Sequence, residues 1–84
     1  MTVLAVFRSR SQTMNFLSRL QGSGISASVQ NTPKEANVGC GLSVRFDFSA
    51  LPRARFILQN GGYSAFVGFF RREEAGGGAF FVRI

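Results

Sequence analysis

Hydrophobic positions divide the chain into short segments whose spacing switches between strand-like and helix-like. Thr2–Phe7 (TVLAVF) is a continuous apolar run ending at the polar stretch Arg8–Ser11, the pattern of a central strand buried on both faces. From Ser11 the apolar residues Met14, Phe16, Leu17 and Leu20 fall at helical spacing. Ser9 or Ser11 is the N-cap candidate, and Gly22 or Gly24 the stop. Ile25–Val29 alternates apolar with polar, and Leu42–Phe48 alternates again after the connection Asn31–Gly41, so each predicts a strand with one wet face. Ser49 as cap, Pro52 in the first turn and the stripe Leu51, Ala54, Ile57 and Leu58 predict a second helix that ends at Gly61-Gly62. Tyr63–Phe70 then predicts a fourth strand. Arg71–Ala79, with its two glutamates and three consecutive glycines, predicts a flexible turn leading to a short last strand, Phe80–Ile84.

The order β-α-β-β-α-β predicts an α+β, ferredoxin-like two-layer sandwich with an antiparallel sheet and an extra C-terminal strand. Right-handed crossovers leave a gap within each β-α-β half, which gives the sheet order 4-1-3-2 with the fifth strand beside the fourth. The 84 residues have room for one domain, 1–84, read as a core over 1–70 and a glycine-rich turn with its terminal strand over 71–84. Phe66, Phe69, Phe70, Phe80 and Phe81 exceed what a sheet covered on one face requires. Either some form an exposed patch opposite the helices, suited to a partner or a homodimer, or the terminal hairpin folds over them.

Charge and cysteine usage narrow the function. The net charge is +6, and nine of the ten basic residues are Arg, so an anionic partner, nucleic acid included, is one expectation; a small basic domain with no anionic partner is the other. No apolar run approaches the roughly 20 residues of a membrane span, and Met1–Arg8 is too short for a signal peptide, so a cytoplasmic protein is expected. One cysteine and no histidine exclude an internal disulfide, a Cys/His zinc site and Ser-His or Cys-His catalysis within one chain.

The connection Asn31–Gly41 is longer than a turn requires and holds the only thiol, Cys40, between Gly39 and Gly41. Two readings of Cys40 stand side by side: a thiol presented to solvent, or the small buried hydrophobe that a free cysteine often is. In the expected topology Cys40 shares an edge of the sheet with Arg8, Ser9, Arg10, Ser11, the start of the first helix and Gly61-Gly62. Lys34 lies in the same loop. Helix N-termini and nearby cations lower a thiol pKa and stabilise a thiolate or persulfide anion. Without a second cysteine, a dithiol redox cycle inside one chain is closed. A group carrier, a mixed-disulfide partner or an inert residue remains.

Thr32-Pro-Lys-Glu35, followed by Val38-Gly-Cys-Gly41 and the strand Leu42–Phe46, resembles the signature of the selenium/sulfur carrier protein-like family, small bacterial proteins with a Pro-basic-Glu segment shortly before Cys-Gly. The similarity extends from about Val3 to Phe70. The resemblance implies a non-enzymatic carrier of sulfur or selenium on Cys40 as a persulfide or selenopersulfide, with no other cofactor. Its partners would be a cysteine desulfurase-like donor and an acceptor protein. It also implies that Gly41, Pro33, Lys34 and Glu35 shape the carrier loop; Gly39 joins them as the other glycine beside Cys40, and the expected topology adds Arg8, Ser9, Arg10 and Ser11 as anion-stabilising helpers. Lys34 stands where the family more often has Arg, and Asn37, Val38 and Gly39 stand where small hydroxyl residues are usual.

Two other classes compete with this reading. A basic sheet bearing Phe and Arg suits a nucleic-acid-binding module, and Ala65–Phe70 with Arg71-Arg72 loosely echoes the aromatic-rich strand of RNA-recognition domains. A protein-interaction module pairing through its phenylalanines needs no thiol chemistry at all. Salt separates these readings, because phosphate-driven binding weakens steeply as salt rises, whereas carriage depends on Cys40.

Overall fold

In the computed structural model, which describes residues 1–36 and 40–84, the elements are β1 (Thr2–Phe7), α1 (Arg10–Gly22), β2 (Ala27–Asn31) and β3 (Leu42–Asp47). A 3-10 turn over Phe48–Ala50 then leads into α2 (Leu51–Gln59), β4 (Phe66–Ala75) and β5 (Gly78–Arg83). The protein is an α+β fold with one five-stranded sheet in the order β2-β3-β1-β4-β5, and every pairing is antiparallel. This is the strand order expected from the sequence, with β1 central and β5 outside β4.

The pleat divides β1 between two apolar clusters. Val3, Ala5 and Phe7 face the helices and pack with Phe16, Leu17 and Leu20 of α1, Leu51 and Ala54 of α2, and Val44, Phe46 and Phe69 of the sheet. Leu4 and Val6 face the other way and pack with Phe70, Ala36 and the half-buried Val67 and Phe81. All five apolar residues from Val3 to Phe7 are fully buried, as a continuous run in a central strand requires. The face opposite the helices is therefore not bare. Ala36, from the β2–β3 loop, lies over its upper half, and Phe81, from β5, packs against the same cluster from the level of Arg72.

Several expectations need correction. The β4 strand does not end at Phe70: it runs to Ala75, and the expected flexible turn over Arg71–Ala79 shrinks to Gly76-Gly77. Both glycines have positive φ, 59° and 79°, as a tight two-residue hairpin needs. The charged stretch stays in the strand because its backbone pairs with Gly78–Val82 of β5; Arg71 pairs with Glu73 at 2.9 Å and Arg72 with Glu74 at 3.2 Å, partners two residues apart on the same face. The strand begins at Phe66 rather than Tyr63, and β2 spans Ala27–Asn31 rather than Ile25–Val29, with Ile25 buried ahead of it. Ser49 does not cap α2. Asp47 accepts a hydrogen bond from the Ser49 N–H at 2.9 Å and caps the preceding 3-10 turn, while the α2 N-cap, Ala50, has no side-chain cap bond.

The expected surplus of phenylalanines resolves residue by residue. Phe66 and Phe69 join the helix-side core, Phe70 and Phe81 the second cluster, and Phe80 is 40% exposed on β5.

Candidate functional site

The start of α1 is built by Ser9. Its hydroxyl accepts a hydrogen bond from the Gln12 N–H at 3.2 Å, which makes it the N-cap, and Ser11 lies inside the helix with its Oγ 3.0 Å from Ser9 Oγ. One turn on, Thr13 occupies the stripe that continues through Phe16, Leu17 and Leu20, and it is fully buried. Its Oγ1 donates to the Ser9 carbonyl at 2.9 Å and lies 3.5 Å from Cys40 Sγ. The Cys40 thiol in turn lies 3.5 Å from the Leu42 carbonyl.

The loop that carries Cys40 is tied down at several points. Thr32 N–H donates to the Gly41 carbonyl at 2.9 Å, closing its base, and Thr32 Oγ1 lies 2.7 Å from the fully buried Ser43 Oγ. Gly41 takes a φ of +85°, a conformation that a residue with a Cβ resists. Pro33 accepts from the Ala36 N–H at 3.2 Å, and the turn so formed sets Ala36 against Leu4, Val6 and Phe70. Glu35 Oε2 accepts the Phe81 backbone N–H of β5 at 2.9 Å.

Cys40 is partly buried, intermediate between the two readings that the sequence left open. Burial pushes its thiol pKa up, but the Thr13 hydroxyl, backbone hydrogen bonds at Leu42 and Cys40, and the charge of Arg10 outweigh it, leaving the pKa below its ordinary value. Thr13 can serve both protonation states. In the thiol its one proton goes to the Ser9 carbonyl; toward a thiolate the hydroxyl can rotate, because the Thr13 N–H at 3.0 Å keeps that carbonyl satisfied. A sulfur anion at Cys40 therefore gains a donor at little cost to the helix.

The structure brings together only part of the expected site. Cys40 does sit against the first turns of α1, close enough to Arg10 to feel its charge. Ser9 is committed to capping. Arg8, Arg10, Ser11 and Lys34 are exposed, and the Arg8 N–H is held by the Ala65 carbonyl at 2.8 Å. Glu35 faces β5, and Pro33 shapes a turn. Gly39, with Asn37 and Val38, lies outside the described residues. The segment after Gly61-Gly62 reaches the same end of the molecule through Gln12, which donates to Ser64 Oγ at 3.1 Å and accepts from the Ala65 N–H at 2.9 Å. Thr13 was missed in the sequence, although a hydroxyl within an apolar helix stripe was the available signal.

Residues 2–65 match the family described as "Putative Se/S carrier protein-like", and the chain belongs to that family. No curated protein and no solved structure matches the chain. The matched segment contains Cys40 and its loop and ends just before β4.

Proposed function

We propose that this protein is a ferredoxin-like carrier that holds sulfur or selenium on Cys40 and passes it from a donor to an acceptor. The observation that carries the proposal is the placement of the single thiol of a carrier-family chain beside a buried hydroxyl donor, with its pKa lowered. Two helices packed on one face of a sheet in the order β2-β3-β1-β4 support the ferredoxin-like reading.

In the loading step the Cys40 thiolate attacks the terminal sulfur of a donor persulfide. A new S–S bond forms on Cys40, the donor's own S–S bond breaks, and its thiolate leaves. The sulfur transferred keeps its oxidation level, so no external oxidant is required. Delivery is the same reaction in reverse order, with an acceptor nucleophile attacking the outer sulfur and Cys40 departing as thiolate. Thr13 and Arg10 favour the anion at both stages. A desulfurase-like donor and an acceptor protein are the partners of this reading, and the cytoplasm is its setting. No helix among the described residues is long and apolar enough to cross a membrane.

The test is delivery. Protein loaded from a persulfide donor, desalted and treated with a thiol reductant should release one sulfide per chain, while Cys40→Ser should release none. Equal release from both proteins would remove Cys40 from the role.

A further inference from the structure

The four side-chain carboxylates of the chain are all engaged. Asp47 holds the N-terminal ammonium at 3.1 Å, Glu73 and Glu74 pair with Arg71 and Arg72, and Glu35 accepts from Phe81. Arg45 is one of several arginines that pair with no carboxylate among the described residues, and its place sets it apart. It stands on β3 opposite Leu4, on the sheet face away from the helices, just below the half that Ala36 covers. There Arg45, Arg72, Thr2, Gln30 and Phe81 line a hollow of about 340 Å³. A second hollow, also about 340 Å³ and lined by Ser28 and Asp47, adjoins it through Thr2 and Arg45.

We infer that this lower half of the open sheet face is a binding site for a phosphate-bearing ligand, gripped between Arg45 and Arg72. The two guanidinium groups approach the hollow from β3 and β4, on either side of β1, so a phosphate or diphosphate between them can accept from both forks. The Gln30 amide and the Thr2 hydroxyl supply neutral donors. The Arg72–Glu74 pair does not block the site, because an exposed ion pair is weak and a doubly charged phosphate competes with it. Asp47 at the far end is already matched by the N-terminal ammonium. Phe81 is half-buried and the other phenylalanine of this face, Phe70, is buried, so the site recognises phosphate rather than stacked bases. The site lies apart from Cys40 and does not depend on the carrier reading.

The test is calorimetric titration at low salt with three probes: inorganic pyrophosphate, a nucleoside diphosphate and a short single-stranded oligonucleotide. Arg45→Ala and Arg72→Ala should each weaken binding by about tenfold, in line with the loss of a charge-assisted bidentate contact. Arg19→Ala removes the same charge from the exposed side of α1 and should leave binding unchanged. The strongest probe identifies whether the phosphate comes from a small molecule or a strand. No binding of any probe, or equal weakening by Arg19→Ala, would overturn the site. Arg45, Arg72 and Arg19 are all exposed, and unchanged circular dichroism confirms that each variant folds.

Discussion

The Glu35 carboxylate accepts the Phe81 backbone N–H across 46 positions of sequence. Phe81 stands opposite Arg72 in the β4–β5 ladder, while Ile84 N–H donates inward to the Phe69 carbonyl at 2.9 Å. By antiparallel alternation the Phe81 N–H therefore points away from β4, along the free edge of the sheet. Glu35 thus does two things at once: it anchors the loop that carries Cys40, and it occupies a donor on an edge strand open to unwanted pairing.

Glu35→Ala should free that amide, and Glu35→Gln should keep it bonded through the side-chain oxygen. We expect Phe81 amide exchange to speed up in the alanine variant alone, with a stability loss of about 1 kcal/mol, the usual contribution of such a bond. Equal exchange in both variants and the native protein would show that the contact does not persist in solution.

Thr13→Val removes the hydroxyl donor next to Cys40 while keeping the side chain's shape. The thiol pKa should rise toward its ordinary value, and alkylation of Cys40 near neutral pH should slow by about threefold or more. Thr13→Ser should restore most of the rate. A pH–rate profile for all three proteins reads this directly, and an unshifted profile in Thr13→Val would leave Thr13 a purely structural role.

The Ser49 hydroxyl, the Ser49 N–H and the N-terminal ammonium hold the Asp47 carboxyl well below the usual carboxylate range. A carboxyl depressed in this way stabilises the fold above its unfolded value of about 3.9 and loses that contribution as pH falls further. Thermal unfolding should therefore show Asp47→Asn losing stability at neutral pH and converging on the native protein in acid. A constant gap between the two at every pH would contradict the assignment.

Much of the architecture follows from local pattern. The all-apolar run Val3–Phe7 marks the central strand, Ser9 the helix start, and the β-α-β-β-α-β order the sheet arrangement. What escaped the pattern was long-range. Arg71–Glu74 reads locally as a polar turn, and only the cross-strand register with Gly78–Phe81 keeps it extended. Glu35 has no neighbour in sequence that hints at Phe81. The loop's path over Leu4 and Val6 depends on Ala36, a residue too small and common to stand out.

Gly77 has a φ of 79° with open space around the position where a Cβ would stand. Gly77→Ala should cost about 1 kcal/mol through backbone strain alone, lowering Tm by about 5 °C without altering Cys40 reactivity. Calorimetry with a parallel alkylation assay checks both parts. A matching drop in thiol reactivity would mean that the hairpin and the Cys40 loop move together.

The central claim is that Cys40 takes up the carried atom. Its most direct test is intact mass under non-reducing conditions after incubation with a cysteine desulfurase and cysteine or selenocysteine, beside Cys40→Ser. The native chain should gain one sulfur or selenium atom that a reductant removes, and the variant should gain none. An unmodified native chain whose thiol also resists a small alkylating reagent near neutral pH would contradict it.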